Sequence, residues 1–155
     1  MPLRTLAVDF NSFFASCEQQ ENPRLRGKPV GVLPVMTDSS CVIAASYAAK
    51  DRGVRTGTGV REARKLCPEI TLVESRPAVY IDYHHRLIEV IESCLPITAV
   101  KSIDEMECDL TKTFAPREKA LSVAHQIKRR IKAKIGASMT SSIGIAPNWM
   151  LAKLA

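Results

Sequence analysis

Two adjacent acids, Asp104 and Glu105, lie between two apolar segments at residues 97–100 and 106–110. The β-branched residues of the first segment indicate a strand, so the acids are expected in a turn between two strands. Neighbouring carboxylates repel each other, and a bound divalent cation would relieve that repulsion. A third carboxylate would complete a cation site, and Asp9, at the end of the first apolar segment of the chain, is the candidate.

The order of the predicted elements explains how Asp9 would reach the acid pair. Outside residues 11–76, the hydrophobic pattern predicts strand, helix, strand, strand, helix, strand, with long helices at 77–95 and 116–136. This is the order of a ferredoxin-like α+β fold, an antiparallel sheet with both long helices on one face. In that topology Asp9, Asp104 and Glu105 meet at one edge of the sheet. Carboxylate oxygens favour Mg²⁺ or Mn²⁺, and two such ions about 3.5–4 Å apart can hold a phosphoryl group during its transfer.

The segment between the first strand and the long helix differs in composition from the rest. Basic side chains occur at nine positions between residues 24 and 65, and acidic ones at three. Short strands are expected at 30–33, 41–45 and 71–73, with a short helix at 60–66. A solvated surface is one interpretation of this charge, and a small basic subdomain that faces phosphates is the other.

Composition limits the classes of protein to consider. The chain has 155 residues, a formal net charge of +6 and five scattered cysteines with no C-x-x-C pair, which indicates a reducing compartment without a zinc site. Neither a secretory signal nor an apolar run long enough for a bilayer is present, so a cytoplasmic protein without a membrane partner is expected. Histidines at 84, 85 and 125 fall on predicted helices and are not expected to be metal ligands.

Several ordered motifs resemble those of the Y-family (translesion, UmuC/DinB-like) DNA polymerases. Residues 8–18 (VDFNSFFASCE) are similar to the opening motif of that family, and residues 27–30, 42–47 and 52–54 follow it in order. Residues 102–105 (SIDE) match its most specific signature, and residues 142–148 with 152–155 resemble the motif that closes the catalytic region. The matches span nearly the whole chain.

The resemblance implies a palm of residues 1–20 and 76–155, with a fingers subdomain of residues 21–75 inserted into it. It implies that Asp9, Asp104 and Glu105 bind two Mg²⁺ ions, for which Mn²⁺ can substitute, with the backbone carbonyl of Phe10 as a further ligand. The implied reaction is template-directed transfer of deoxynucleotides to a DNA primer, at low fidelity, in DNA repair and damage tolerance.

The resemblance also assigns nucleotide contacts. Phe14 falls at the steric gate, where a ring under the sugar leaves no room for a 2′-hydroxyl. The chain carries lysine at position 50, where arginine is common in the family, and so loses a bidentate contact with phosphate. The implied nucleotide-binding residues are Ser12, Phe13, Phe14, Ala44, Tyr47, Lys50 and Lys153.

Two other functions are compatible with parts of the sequence. A nucleotidyl cyclase uses the same sheet and acids, but the basic insertion and Phe14 do not fit it well. The second alternative is a non-catalytic paralogue that binds only DNA or a partner protein. Retention of all three acids disfavours this alternative. The uncapped apolar pattern at residues 150–155 indicates a fragment without the thumb and little-finger domains, which is expected to polymerise weakly or not at all. A sliding clamp is a possible partner of the missing region.

Overall fold

The computed structural model describes residues 2–155, which form seven strands and six α-helices, with a short 3-10 helix at Pro23–Leu25. The described chain groups into two compact units, residues 2–11 with 81–155 and residues 12–80. In chain order the elements are β1 (Thr5–Phe10), α1 (Phe13–Glu21), β2 (Val30–Leu33), β3 (Ala44–Ala45), α2 (Tyr47–Asp51), α3 (Val60–Leu66), β4 (Thr71–Glu74), α4 (Pro77–Glu92), β5 (Ile97–Ser102), β6 (Glu105–Asp109), α5 (Arg117–Lys134), β7 (Ser141–Ala146) and α6 (Trp149–Leu154).

The limits of the two units differ from the predicted limits of palm and fingers. Residues 12–20 and 76–80, assigned above to the palm, group with residues 21–75. Within this unit α1 contacts β2 and β3, and its Glu18 binds Arg76 and Tyr80. The order of elements along the chain does not reveal these contacts. The hydrophobic pattern of residues 21–75 predicts strands and a helix of their own, and it carries no sign of a contact with α1. The functional names palm and fingers remain predictions.

The first unit contains a four-stranded antiparallel sheet in the order β5-β6-β1-β7. This is the strand order of the ferredoxin-like fold, so the predicted α+β class is confirmed. β1 lies in the middle, paired with β6 on one side and β7 on the other. Because β1 has neighbours on both sides, the position of every side chain along it is fixed by two registers.

The two faces of this sheet differ, as the period of two along each strand requires. Leu6, Val8 and Met106 are fully buried on one face, and Leu87 and Ile127 are buried residues of the long helices α4 and α5. Apolar residues at four-residue spacing on α4 are buried, namely Tyr83, Leu87 and Ile91. On α5 the buried residues include Ala120, Ala124, Ile127 and Ile131. Burial, with the nearby charges of residues 92, 94 and 107, raises the pKa of the Cys108 thiol to about 12.

Helix α6 packs on the opposite face of the sheet. Ala7 of β1, Ala146 of β7 and Ala152 of α6 form a small buried cluster, against which Trp149 packs. Alanine and glycine on the strands let the helix backbone approach closely, because larger side chains would hold it away from the sheet. Asp9 and Glu105 lie further along the same face as Ala7, because they alternate with the buried residues of β1 and β6.

The second unit contains a three-stranded sheet in the order β3-β2-β4, with β2 antiparallel to β3 and parallel to β4. Leu33, Val42, Val54 and Cys67 belong to its buried core. The strand expected at 41–45 is reduced to Ala44–Ala45, and Cys41 makes only an isolated bridge to Gly59. Helix α2 was not predicted, because five residues are too few to show a helical period.

Ser46 connects the start of α2 to the sheet of this unit. Its side chain is almost wholly buried; Oγ accepts from the N–H of Val30 at 2.8 Å and donates to the carbonyl of Lys28 at 3.0 Å. The same oxygen accepts a longer bond from the N–H of Ala49, as an N-cap. One hydroxyl therefore satisfies buried backbone groups from two elements.

Replacing Ser46 with alanine is expected to destabilise the protein by about 2 kcal/mol, because the buried N–H of Val30 loses its acceptor. Urea denaturation followed by circular dichroism measures the change. Ser39→Ala, at an exposed hydroxyl, is the matched control and is expected to change stability by less than about 0.5 kcal/mol. Equal stabilities of the two variants would contradict this role of Ser46.

No helix among residues 2–155 is long and apolar enough to cross a membrane. The five cysteines at positions 17, 41, 67, 94 and 108 are all free thiols.

Candidate active site

Strand register brings Asp9 beside the acid pair. Asp9, near the end of β1, is the cross-strand partner of Glu105, the first residue of β6. Asp104 occupies the tight turn between β5 and β6, and its carbonyl accepts from the N–H of Phe10 at 2.9 Å. The hairpin therefore closes directly on the end of β1.

One oxygen from each of the three carboxylates, Asp9, Asp104 and Glu105, lies within 4.8 Å of the other two. Among residues 2–155 this is the one group of three or more acidic, histidine or cysteine side chains close enough to share a metal ion. Asp9 is exposed and the other two are half-buried, so a ligand can reach all three from solvent. Oxygen donors with three negative charges fit a hard divalent cation such as Mg²⁺ or Mn²⁺.

Neighbouring side chains hold two of the acids in place. Ser102 Oγ donates to Asp104 Oδ1 at 2.8 Å, and Lys153 Nζ donates to Glu105 Oε2 at 3.3 Å. Lys153 reaches Glu105 from α6, whose N-terminus is capped by the Asn148 side chain, which accepts from the N–H of Leu151. The predicted lysine thus lies at the acid cluster.

The hairpin is also supported from α4. His84 Nδ1 lies 2.6 Å from the carbonyl oxygen of Ile103. A carbonyl only accepts, so Nδ1 carries the proton in this contact. His84 therefore supports the hairpin through a hydrogen bond to its backbone.

Asn11, next to Phe10, is anchored to the other side of β1. Its Oδ1 accepts from Ser142 Oγ at 2.9 Å, and its Nδ2 donates to Thr140 Oγ1 at 3.3 Å. These bonds give Asn11 a structural role at the end of β1. The backbone carbonyl of Phe10 remains a predicted ligand.

Sequence reasoning missed two residues on the same face, Lys101 and Trp149. Lys101 Nζ pairs with Glu107 Oε2 at 3.3 Å and lies 5.1 Å from the centre of the Trp149 ring. Lys153 Nζ lies 5.9 Å from the same ring. Both ammonium groups are therefore within cation–π distance of the same aromatic ring. The available signals were the four-residue spacing of Trp149 and Lys153 on one helix and the position of Lys101 directly before Ser102.

The remaining predicted nucleotide contacts belong to the second unit. Tyr47 and Lys50 lie on α2, with Lys50 Nζ 5.3 Å from the centre of the exposed Tyr47 ring. Ala44 is buried in β3. Arg52, the residue after α2, is paired with Glu69.

The turn into α1 has an unusual geometry. Ser12 occupies the N-cap position with φ 46°, in the left-handed region, and its side chain makes no capping hydrogen bond. Within residues 2–155, its buried Oγ has no hydrogen-bond partner. Phe13 is buried, Phe14 is half-buried, and the Phe14 ring stacks on Tyr80. Such strain and an unsatisfied hydroxyl at a helix start are characteristic of ligand-binding turns.

Comparison with known proteins agrees with the resemblance described above. The sequence model of the impB/mucB/samB family matches residues 8–155. DNA polymerase IV of Moorella thermoacetica is 40% identical over 152 residues, which cover 97% of this chain and 38% of the relative. DNA polymerase IV of Sulfurisphaera tokodaii is 34% identical, with 96% of this chain and 43% of the relative covered.

Solved structures match over a similar range. A Y-family DNA polymerase chimera superposes with a TM-score of 0.90 at 31% identity, and the crystal structure of DinB from Sulfolobus solfataricus with 0.88 at 32% identity. Each match covers 97% of this chain and 44% of the solved chain. The chain thus spans less than half the length of these relatives. On the family match to residues 8–155 and these superpositions, the chain belongs to the impB/mucB/samB family and has the fold of the matching part of the Y-family DNA polymerases.

Proposed function

We propose that the protein containing this chain is a template-directed DNA polymerase that adds deoxynucleotides to a primer during damage tolerance and repair. The observation that carries the proposal is the convergence of Asp9, Asp104 and Glu105 in a chain of this family. A non-catalytic paralogue would have no need to keep three mutually repelling carboxylates together. A nucleotidyl cyclase would not account for the family match.

In this proposal the three carboxylates, with the carbonyl of Phe10, hold two Mg²⁺ ions, or Mn²⁺ in their place. When bound, the ions would lower the pKa of the primer 3′-hydroxyl and neutralise charge on the triphosphate. The protein side chains orient the reactants. Ser102 keeps the Asp104 carboxylate in one orientation through its 2.8 Å hydrogen bond, and Lys153 sets that of Glu105.

Triphosphate recognition is assigned to cations and backbone N–H groups. Lys153 places a positive charge at the acid cluster. A triphosphate bound there would share the Lys153 ammonium group with Glu105. Tyr47 and Lys50 project from one short helix as a hydroxyl donor and a cation. The N–H groups at the start of α1, with the unpartnered Ser12 hydroxyl, supply further donors. Ala44 offers a small apolar surface to the nascent base pair.

The proposed partners are primer–template DNA and deoxynucleoside triphosphates, and a sliding clamp for the whole protein. The net charge of +6 favours a polyanionic partner. The free state of all five cysteines supports a reducing, cytoplasmic location.

Primer extension tests the proposal, using the whole natural protein that contains this sequence because the relatives are longer. Extension that follows the template base, requires Mg²⁺ or Mn²⁺ and stops on adding a chelator is the expected result. In parallel, Mn²⁺ binding to the 155-residue chain, followed by electron paramagnetic resonance, tests the metal site alone. Absence of template-directed extension by a protein that binds Mn²⁺ would refute the polymerase assignment.

Replacing Phe14 with alanine is expected to admit ribonucleotides, because the side chain under the sugar becomes too small to exclude a 2′-hydroxyl. The ratio of kcat/KM for deoxyribonucleotides to that for ribonucleotides should fall by roughly a hundredfold or more. Single-nucleotide primer extension measures the ratio. Phe114→Ala, outside α1, is the control, with an unchanged ratio expected. An unchanged ratio in Phe14→Ala would remove Phe14 from this role.

A further inference from the structure

Four side chains from two helical segments contact one another within the second unit. Phe14 and Glu18 lie four residues apart on α1. Arg76, directly before α4, and Tyr80 on α4 have the same spacing, and the Tyr80 N–H donates to the Arg76 carbonyl. Side chains four residues apart project from the same side of a helix. Each residue of one pair therefore meets a residue of the other, with ring against ring and charge against charge.

Tyr80 contacts α1 at both ends of its side chain. Its ring stacks on that of Phe14, with centroids 4.6 Å apart and planes 18° from parallel. Its hydroxyl donates to Glu18 Oε2 at 3.3 Å. Tyr80 is only 1% exposed, and its burial raises the pKa of the phenol to about 12, so the hydroxyl remains a donor near neutral pH.

Glu18 is a buried carboxylate held by two donors. It is 3% exposed, although acids are seldom buried without a partner. Arg76 Nε lies 2.8 Å from Oε1 and 3.0 Å from Oε2, and Arg76 Nη2 also donates to Oε1. The hydrogen bond with Glu18 raises the pKa of the Arg76 guanidinium. The carboxylate is therefore fixed in orientation, and it fixes the Tyr80 hydroxyl in turn.

We propose that Glu18, clamped by Arg76, is a positioning residue for sugar selection that holds the Phe14 ring in place through Tyr80. This inference rests on the proposed function, in which Phe14 excludes ribonucleotides. A ring excludes a 2′-hydroxyl only if it cannot retreat when the larger sugar arrives. The stacked Tyr80 ring prevents the Phe14 ring from moving towards α4. The hydrogen bond from Tyr80 to Glu18 prevents the two rings from moving together. Selectivity therefore depends on a carboxylate one helical turn from the gate, which need not touch the nucleotide.

The test compares Tyr80→Phe and Glu18→Gln with wild type in the whole natural protein. Tyr80→Phe keeps the stacked ring and removes only the hydroxyl, and Glu18→Gln keeps the side-chain size and removes the charge. Each is expected to lower the ratio of kcat/KM for deoxyribonucleotides to that for ribonucleotides by about tenfold, mainly by raising ribonucleotide incorporation. The double variant should be no worse than the more affected single variant, because both changes break the same contact.

Tyr83→Phe is the matched control, since Tyr83 is a buried tyrosine on the same helix, three residues beyond Tyr80. Its selectivity should equal that of wild type. Thermal denaturation of each variant checks that the fold is retained. An equal loss of kcat/KM for deoxyribonucleotides and ribonucleotides would show a merely structural role and would overturn the inference. Unchanged selectivity in both variants, next to a wild type that selects deoxyribonucleotides, would also overturn it. A wild-type protein that extends no primer would instead refute the proposed function, and this inference with it.

Discussion

Asp104→Asn and Glu105→Gln are each expected to reduce primer extension by roughly a thousandfold or more, because each removes one of three charges that would hold the metal ions. Both substitutions keep the side-chain size, so the hairpin and its contacts with β1 should remain. Single-turnover extension in the whole natural protein measures the chemical step. Mn²⁺ affinity of the same variants in the 155-residue chain should fall in parallel.

Glu107→Gln is the matched control for this pair. Glu107 is a half-buried carboxylate on the same face of β6, two residues beyond Glu105, but it pairs with Lys101 and is outside the cluster of three. Its loss is expected to leave extension within about threefold of wild type. If Glu107→Gln were as inactive as Asp104→Asn, general negative charge rather than a defined metal site would explain the effect. Full activity of both Asp104→Asn and Glu105→Gln would reject the proposed site.

Gly144→Ala is expected to have the largest effect on stability, because α6 leaves no room for a side chain at this position of β7. A Cβ added to Gly144 would lie 1.8 Å from the carbonyl oxygen of Ala152 and 2.8 Å from its carbonyl carbon. Both atoms belong to a helix backbone, which cannot rotate away as a side chain can. Either the whole protein loses about 3 kcal/mol or more of stability, or α6 separates from the sheet.

Fluorescence distinguishes these two results, because Trp149, at the start of α6, is the only tryptophan in the sequence. A red-shifted emission with normal cooperative unfolding would indicate that α6 has separated, and Lys153 should then lose its contact with Glu105. A lower midpoint of urea denaturation with unchanged emission would indicate global destabilisation. Gly59→Ala is the control, since a Cβ there meets no atom within 4 Å, and it should cost less than about 1 kcal/mol. Wild-type stability and emission in Gly144→Ala would show that the helix does not pack so closely.

Much of the first unit could be predicted from local patterns. The four-residue spacing in α4 and the alternation of acids with buried residues in β6 reflect the geometry of single elements, which short-range sequence records. The meeting of Asp9 with Asp104 and Glu105 followed from element order, because few topologies satisfy right-handed crossovers. The strand register confirms that geometry, with Asp9 opposite Glu105.

Other features depend on contacts between residues distant in the chain, for which local patterns hold no information. Sequence patterns indicated the acid pair, the two long helices and the family motifs, because these are properties of neighbouring residues. Packing between elements placed Lys153 and Trp149 at the acid cluster, joined Glu18 to Arg76 and Tyr80, and made Gly144 necessary beneath α6. The physical reason is the range of the forces involved. Helical and strand periods arise from steric limits within a few residues, whereas the pairing of a buried carboxylate or a close backbone approach exists only after distant segments have packed together.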